Sequence, residues 1–572
     1  MKAVLKQRKE SGSGQVEEQL KSCTFAASAH KNRILLFCEK EGITDILQFD
    51  YVWRLEYKRY LAGTNVAKQD RYLYAFDRIV TYYRKKSCIH LSKTDAFSYQ
   101  EKVIFLLYDV REDKIDYLFK MQEKEHLVWD FTLPCPVQLK KQIAKVLNHL
   151  IEEMDEDHDL RLYRRYLITL KKLYEFCYEY KIDDLFTLDK YEENRFFIFM
   201  NEKLGYFKKY AKPVIHLCRK VLFLQSKEIN WEAVVWYMQR FSLDEARVNE
   251  SDRIETFSFM SIENKENRKE LQEYVKYLIG LTDLSLSTIR TIKYRLEEFV
   301  IYIGSKSIYQ VSAYDIDEYI KRQLALGNRK EFIDRKLVII NKWYQNLLSY
   351  ERIDKLPFHL EYYVTSSFEN THHDRTLEER IIDLILDNLW QCDETLRLIF
   401  LIQLCTARRI SEVCQIKAGS LKVIGDDFWI CFYQPKMHAD IMVPIPEELY
   451  KLLKGYIDIK KRRSDEYLFQ DENGRAYRSG TYQKKMIDFC KSCGIEAAGY
   501  AFKSHDFRHT LATQLYNHGA SVQVIRDFLG HKSDEMTKQY IDFIPRQIEE
   551  KSKSLFKEKQ KLVKNHDRSV IS

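Results

Sequence analysis

Apolar residues return every three or four positions along most of the chain, which is the spacing of an amphipathic helix. In residues 287–303 (STIRTIKYRLEEFVIYI), Ile289, Leu296 and Phe299 fall on one helical face, and residues 332–351 repeat the pattern. Glycine and proline, which interrupt helices, number only 17 and 8 among 572 residues. The sequence therefore predicts a mainly α-helical protein.

A longer spacing recurs at three places in the sequence. An aromatic residue at the end of a helical run is followed by apolar residues nine and twelve positions later. The three sets are Phe37, Ile46 and Phe49; Phe176, Leu185 and Leu188; and Phe299, Ile308 and Val311. Two interpretations are open: a helical module is repeated along the chain, or helix pairs with short linkers match by chance.

Strand-like alternation of apolar and polar residues appears in the C-terminal third. Residues 427–434 (DFWICFYQ) and 439–445 (ADIMVPI) each predict a short strand, and residues 435–438 (PKMH) predict the turn between them. A further strand-like run, VIFLLYDV, covers residues 103–110. The C-terminal part is therefore expected to combine helices with a small antiparallel sheet.

These patterns predict a mainly α, multidomain fold with a mixed α/β domain near the C-terminus. The polar stretch at residues 357–376 predicts a linker, and a helix is expected near Thr376, where LEER resembles a capping box. The predicted boundaries are 1–150, an N-terminal module of unclear role with a possible helical repeat and a strand-containing part; 151–268, a second helical module; 269–360, a compact helical domain; 361–375, a linker; 376–550, the mixed domain; and 551–572, a basic tail.

Composition narrows the function only slightly. The net charge of +8, from 93 basic and 85 acidic residues, permits a nucleic-acid partner without demanding one. Twelve cysteines without a disulfide-like framework suit a reducing cytoplasm, and the lone Cys490-x-x-Cys493 pair lacks the second pair that a structural zinc needs. No apolar run nears 18 residues, so we expect a cytoplasmic protein without a membrane span.

Residues 505–540 concentrate the polar chemistry of the chain. His505 and Arg508 lie one helical turn apart, His531 follows a Leu-Gly pair, and Tyr540 comes nine residues later. Gly519 predicts the end of one helix, and Ser521 and Ser533 predict the N-caps of the next two. From these residues alone, an active site, a helix-turn-helix DNA reader and plain packing with capping histidines are all open.

Motifs further upstream favour one of these three interpretations, an active site. Arg409 precedes Ile-Ser-Glu in TARRISE, and Lys436 lies in the predicted turn, seven residues before Val-Pro. Together with His505-x-x-Arg508, Leu-Gly-His531 and Tyr540, in this order and at these spacings, they resemble the tyrosine recombinases, or phage integrase family. Residues 269–360 resemble the family's SAM-like core-binding domain, so the resemblance covers about half of the chain. The length and the extra N-terminal modules resemble, more loosely, large recombinases encoded by transposons.

The resemblance implies a site-specific recombinase or integrase that cuts and rejoins DNA through a 3′-phosphotyrosine, without a cofactor or metal. Tyr540 would be the nucleophile, and Arg409 and Arg508 would stabilise the phosphate charge. Lys436 would protonate the leaving 5′ oxygen and His505 would exchange a proton on the tyrosine side. His531 would donate to a phosphate oxygen. Glu412 is either an orienting carboxylate or a surface residue.

The sequence departs from the family before its first arginine. The family usually has glycine and then leucine or methionine there, whereas this chain has Ala407 and Arg408. The following Ile-Ser-Glu favours Arg409 as the catalytic arginine, and Arg408 is then expected to pack by its stem or to touch phosphate.

Partners follow from the same resemblance. Double-stranded DNA at element ends and a target site is the expected partner, bound by a homo-tetramer or by a mixed assembly with other recombinases, with residues 541–572 docking on a neighbour. Phosphate contacts are expected from basic residues of the helical domain: Arg290, Lys293, Arg295, Lys321, Arg322, Arg329 and Lys330. A topoisomerase-like relaxing enzyme and an accessory DNA-binding subunit are the alternatives.

Overall fold

The structure is a computed structural model. It describes residues 14–64, 66–87, 96–121, 123–154, 160–364, 375–434, 439–531 and 533–538. The chain divides into two compact units: the first holds the described residues up to Arg240 together with Thr256–Glu273, and the second holds Phe241–Glu255 and the described residues from Tyr274 onward. Within these ranges, no helix is both long and apolar enough to cross a bilayer.

The first unit is helical with two small strand pairs. Its helices are α1 (residues 14–22), α2 (Ser28–Glu41), α3 (Tyr51–Ala62), α4 (Gln69–Lys86), α5 (Leu106–Asp109), α6 (Glu112–Phe119), α7 (Val137–Glu152), α8 (Leu160–Glu179), α9 (Lys190–Leu204) and α10 (Ala211–Gln225). Strands β1 (Val103–Phe105) and β2 (Val128–Asp130) pair antiparallel, as do β3 (Val235–Tyr237) and β4 (Thr256–Ser258).

The strand-like run at residues 103–110 is only partly a strand. It is extended as far as Phe105 and then turns into α5. The Asp109 carboxylate accepts a hydrogen bond from the backbone N–H of Phe105 at 3.1 Å, which stabilises this turn. The strand-like run is therefore extended only as far as Phe105 and helical after it.

The second unit contains the remaining helices and a three-stranded sheet. After α11 (Lys265–Leu281) come α12 (Leu286–Ile303), α13 (Ala313–Ala325), α14 (Lys330–Ser349), α15 (Glu379–Asn388), α16 (Glu394–Thr406), α17 (Ile410–Cys414), α18 (Glu447–Lys460), α19 (Ser479–Ser492), α20 (Asp506–Asn517), α21 (Val522–Leu529) and α22 (Asp534–Lys538). The strands β5 (Leu421–Ile424), β6 (Asp427–Gln434) and β7 (Ala439–Ile445) form one antiparallel sheet in that order.

The predicted fold class is confirmed, and β6 and β7 have the bounds that the alternation predicted. Ile430 and Phe432 of β6, and Val443 of β7, are buried on one sheet face. They join a core with apolar residues of α16, such as Ile399. This packing places the end of α16, the sheet and the helices that follow it around one core.

The start of α15 differs from its prediction. The helix begins at Glu379 rather than near Thr376. The Thr376 hydroxyl lies 3.3 Å from the hydroxyl of Thr513, and the Leu377 backbone N–H donates to the Thr510 hydroxyl at 2.9 Å. Because these contacts tie residues 376–377 to α20, Thr376 does not cap the helix after it.

The repeated sequence pattern corresponds to one local structure that occurs three times. We name the segments module 1 (residues 28–86), module 2 (160–225) and module 3 (286–349). Each contains three helices: α2 to α4, α8 to α10, and α12 to α14. All nine residues of the three sequence sets are buried. These shared features agree with a repeated helical module, which stays a prediction.

Ring contacts repeat with the pattern. The phenylalanine that opens each set meets an aromatic ring of the next helix at almost the same centroid distance. The pairs are Phe37 and Tyr57 at 5.2 Å, Phe176 and Phe196 at 5.2 Å, and Phe299 and Tyr319 at 5.3 Å. Five residues after that phenylalanine, each module has a residue with positive φ: Gly42, Lys181 and Gly304, with φ of 73°, 54° and 60°. Gly42 is left-handed with ψ of 30°, whereas Gly304 has ψ of −118°, so the loops after the first helix share the sign of φ but not one conformation.

Residues 241–255, named the bridging segment here, contact two parts of the second unit. Toward the helical part, the Arg247 guanidinium donates to the carbonyl oxygens of Leu284 and Ile279 at 2.9 and 3.0 Å. Toward the mixed α/β part, Arg253 donates to the Asp471 carboxylate at 2.6 Å and to the Ala476 carbonyl at 3.1 Å. The segment thus links the two parts independently of the linker at 361–375.

We expect Arg253→Ala to loosen the bridging segment. The Arg253 side chain is 9% exposed, so its charge-assisted hydrogen bonds are shielded from water, and their loss should cost about 1.5–3 kcal/mol. Hydrogen–deuterium exchange of peptides from residues 241–255 should speed up about 10-fold or more. Arg475→Ala is the control, since this exposed guanidinium has only a 3.5 Å contact to Glu255. Equal exchange in both variants would contradict the assignment.

Candidate active site

The junction between α16 and α17 presents two adjacent arginines in different environments. Ala407 is buried and takes a left-handed conformation, with φ of 51°. This geometry is normally left to glycine and costs an alanine about 1 kcal/mol. The junction therefore has a turn that suits glycine, although Ala407 occupies it.

Arg408 lies inside the protein. It is 0% exposed, and its guanidinium donates to the Phe528 carbonyl and lies over the Phe432 and Phe528 rings, 5.9 and 5.8 Å from their centroids. Burial lowers the pKa of Arg408 to about 10. Arg408 therefore joins the start of α17 to α21 by packing, which matches the first of the two expectations for it.

Arg409 is the N-cap residue of α17 and is oriented by Glu412. The Glu412 carboxylate accepts from the Arg409 guanidinium at 2.9 Å and from the Arg409 backbone N–H at 3.3 Å. Glu412 is 4% exposed, so it is not a surface glutamate. A buried carboxylate with two bonds to one arginine fixes the direction of that guanidinium.

Arg508 holds the loops around it together. This residue, on the first turn of α20, is 1% exposed. Its guanidinium donates to the Ala407 carbonyl at 2.9 Å and to the Leu529 carbonyl at 2.8 Å. One side chain thereby connects the turn before Arg409 with the Leu-Gly-His loop, and a permanent positive charge is fixed at their meeting point.

His531 is neutral and has a defined tautomer. Burial, followed by the charges of Arg508 and Arg409, lowers the pKa of His531 to about 3. Its Nε2 lies 2.6 Å from an Arg508 nitrogen, and its Nδ1 lies 3.0 Å from the Thr537 hydroxyl. Since arginine can only donate, Nε2 accepts and Nδ1 carries the proton. Thr537, three residues before Tyr540, is a partner that the motifs did not point to.

His505 is also kept neutral. Burial lowers the pKa of His505 to about 4, and nearby positive charges, among them Arg508, Arg375 and Arg409, act in the same direction. Its ring packs edge to face against His509 at 5.3 Å. The structure therefore brings Arg409, His505, Arg508 and His531 within electrostatic range of one another. Arg375 adds a cation to this group that the motif comparison did not assign.

The Leu-Gly-His loop lies against the end of β6. At Gly530, which has φ of 67°, a side chain would meet the Gln434 amide at 2.6 Å. Glycine suits this backbone conformation, and any larger residue would also have to displace the Gln434 amide. Gln434 is the last residue of β6, so this strand, two residues before Lys436 in the sequence, ends beside the loop that carries His531.

Two expected site residues lie outside the described residues, namely Lys436 and Tyr540. The same holds for the tail at 551–572 and for the docking segment at 541–572. Helix α22, which Ser533 caps as predicted, is described as far as Lys538, two positions before Tyr540. The described chain thus brings four of the six expected catalytic residues together and ends close in sequence to the fifth.

The region that contains the site matches a known protein family. The model of the phage integrase family matches residues 375–545, which contain all the residues of the site. Residues 375–545 form a phage integrase family domain.

Relatives of the integrase domain extend upstream of it. The chain is 27% identical over 324 residues to transposase B of transposon Tn554 from Staphylococcus aureus, covering 54% of this chain and 51% of that protein. It is 26% identical over 282 residues to tyrosine recombinase XerA of Pyrococcus furiosus, covering 49% and 91%. The solved structure of the Tn1549 transposon integrase with a circular intermediate DNA is similar at 19% identity and a TM-score of 0.39, covering 50% and 99%. The chain spans about half the length of the curated transposases it matches.

The basic residues expected to contact DNA upstream of the integrase domain are not all available. Lys293 is 7% exposed, and its ammonium group donates to Glu297 at 2.7 Å. It therefore belongs to the interior of module 3, and the expectation of a phosphate contact there was wrong. Arg290 donates to Asp252 of the bridging segment at 2.8 Å, whereas Arg329 is exposed.

The other four basic residues also have contacts within the protein. Arg295 lies over the Phe332 ring, and Arg322 lies over the Tyr302 ring. Lys321 donates to Glu318, and Lys330 donates to Asp334 and to the Tyr363 carbonyl.

The low pKa values of His505 and His531 predict how the stability of the integrase domain depends on pH. In the unfolded chain they take up protons near pH 6.5, but in the folded domain only near pH 4 and 3. The unfolded state therefore binds more protons below pH 6.5. The free energy of unfolding is expected to fall between pH 6.5 and 5, by up to about 1.4 kcal/mol per pH unit for each histidine.

Hydrogen exchange of α20 peptides under urea at pH 6.5 and pH 5 measures this dependence. In His505→Asn the decrease in the free energy of unfolding between pH 6.5 and pH 5 should be smaller, by the contribution of one histidine. In His518→Asn, which changes an exposed histidine of the same segment, it should be unchanged. A stability that stays level, or rises, between these pH values would contradict the neutral state of the two buried rings.

Proposed function

We propose that the protein is a tyrosine-type site-specific DNA recombinase that moves a mobile element. The observation that carries the proposal is the meeting of Arg508, Arg409, His505 and His531 beside the end of β6. Two guanidinium groups fixed from separate elements match the negative charge that builds up on a phosphate under attack. The family of residues 375–545 and the similarity to transposase B support the same conclusion.

The reaction proposed is a transesterification. The Tyr540 oxygen attacks the scissile phosphorus, the bond from phosphorus to the 5′ oxygen breaks, and a 3′-phosphotyrosine forms. The leaving 5′ oxygen takes its proton from Lys436. Attack of a 5′ hydroxyl from another strand then reverses the step and restores tyrosine. Bond energy is conserved in the ester, so the cycle is balanced without ATP.

The neutral state of the histidines fits this scheme. With a pKa of about 4, His505 is unprotonated at neutral pH and can accept the tyrosine proton. His531 can donate to a phosphate oxygen only after Nε2 gains a proton, since in the free protein that nitrogen accepts from Arg508. A bound phosphate supplies negative charge, which raises the pKa of both rings. The expected donor role of His531 therefore belongs to the DNA complex.

Double-stranded DNA is the proposed substrate and partner. Among similar solved structures, the Tn1549 transposon integrase holds a circular intermediate DNA, and the XerH site-specific recombinase holds a palindromic difH substrate. A tetramer on two sites, built from this chain or with other recombinases, is the assembly proposed from the family.

The experiment is to trap the covalent intermediate. In duplexes that carry the ends of the element and a nick just downstream of the cleavage position, the short fragment with the new 5′ hydroxyl diffuses away and the enzyme stays attached to the 3′ phosphate. We expect a detergent-resistant adduct, and mass spectrometry of its peptides should place the nucleotide on Tyr540. An adduct on another residue, or none with any end of the element, would overturn the proposal.

A further inference from the structure

Modules 1 and 2 repeat the architecture of module 3 beyond the apolar sets described above. The third helices also match, because equivalent positions of α4, α10 and α14 are buried. The matched sets are Phe76, Ile215 and Leu337; Ile79, Cys218 and Ile340; and Tyr83, Leu222 and Tyr344. These positions lie 39, 42 and 46 residues after the first phenylalanine in modules 1 and 2, and one residue less in module 3. Each of the two N-terminal segments therefore repeats the whole three-helix arrangement of module 3.

Positive charge follows the modules. Module 1 has 12 basic and 7 acidic residues, module 2 has 14 and 8, and module 3 has 11 and 7. Each module is thus positive by 4 to 6 charges, whereas the chain as a whole carries only +8. The sequence outside the modules is therefore net acidic. A net positive charge on each of the three modules fits a polyanionic partner shared by them.

Exposed cations also recur at one place in the modules, just before or at the start of the third helix. These are Lys68 in module 1, Lys208 and Lys209 in module 2, and Arg329 and Lys330 in module 3. Lys68 and Arg329 are both N-cap residues of that helix. A cation at a helix N-terminus is unfavourable for the helix dipole. An anion bound there offsets that cost, so the recurrence favours phosphate over an apolar partner.

We propose that modules 1 and 2 are two further binding modules for the backbone of double-stranded DNA. This inference rests on the proposed function, since it takes DNA as the ligand of module 3. Each module would contact phosphates through the basic residues at the start of its third helix. Such contacts position a protein on duplex without selecting a sequence.

The test is the salt dependence of binding to DNA that the protein does not need to cleave. Wild-type full-length protein is titrated onto a random-sequence duplex of about 40 base pairs at several KCl concentrations, because each phosphate contact adds about 0.9 to the slope of log K against log salt. The variant combines Lys68→Gln, Lys208→Gln and Lys209→Gln. The control combines Lys120→Gln, Lys141→Gln and Lys269→Gln, three exposed lysines of the same unit outside the modules.

We expect the module variant to lower the slope by about 2 to 3 and the control to leave it nearly unchanged. Thermal melting followed by circular dichroism should be the same for both variants, since all six side chains are exposed. An unchanged slope in the module variant, or equal losses in both variants, would overturn the inference. This outcome is independent of the proposed chemistry: the duplex reports on binding alone, and the adduct on Tyr540 reports on cleavage alone.

Discussion

Tyr540→Phe is expected to abolish the covalent adduct with nicked element ends. Phenylalanine keeps the ring but lacks the oxygen that forms the ester to phosphorus, so no 3′-phosphotyrosine can form. DNA binding should be retained, because the arginines and the modules are untouched. The measurement is the yield of detergent-resistant protein–DNA complex on denaturing gels, beside a binding titration of the same preparation.

A second tyrosine variant makes this result specific. Tyr433→Phe removes a hydroxyl from the end of β6 in the same domain, on a side chain that is 46% exposed. It should form the adduct as the wild type does. If Tyr540→Phe still forms the adduct, another residue is the nucleophile, whatever the result for the control.

Arg508→Lys is expected to reduce the rate of adduct formation by about 100-fold or more, the usual cost of losing one fixed donor to a transition-state oxygen. Lysine keeps the charge but not the planar fork that donates to Ala407 and Leu529 at once. The loss should therefore appear in the single-turnover rate and much less in DNA affinity.

The same substitution should lower the thermal stability of the integrase domain, because two buried carbonyl groups lose their donor. Arg526→Lys is the matched control on α21, where the guanidinium forms partly exposed ion pairs with Asp527 and Asp534. Its adduct rate should stay within about twofold of the wild type, because exposed pairs contribute little. If Arg508→Lys forms the adduct at the wild-type rate, Arg508 does not stabilise the transition state.

Much of the fold could be predicted because it depends on local pattern. The bounds of β6 and β7 follow from alternation over seven or eight residues, and the N-cap at Ser521 follows from one hydroxyl. The start of α15 could not be predicted, since Thr376 is engaged by Thr513, which is 137 positions away in the sequence. Local rules fail where a distant segment provides the better partner.

The site, like the fold, could be predicted from the sequence only in part. Motif order and spacing pointed to Arg409, His505, Arg508 and His531, and the structure brings these four together. Sequence could not give the tautomer of His531, which depends on the direction of the Arg508 fork. Nor could it decide between the two environments open to Glu412, because the burial of that carboxylate depends on how α17 packs.

The bridging segment changes what the linker at 361–375 controls. Two connections in parallel, one covalent and one through Arg253 and its neighbours, join the helical part to the integrase domain. The effective concentration of one part near the other is then set by the shorter connection rather than by linker length. Lengthening the linker alone would leave that concentration almost unchanged for as long as the bridging segment stays docked.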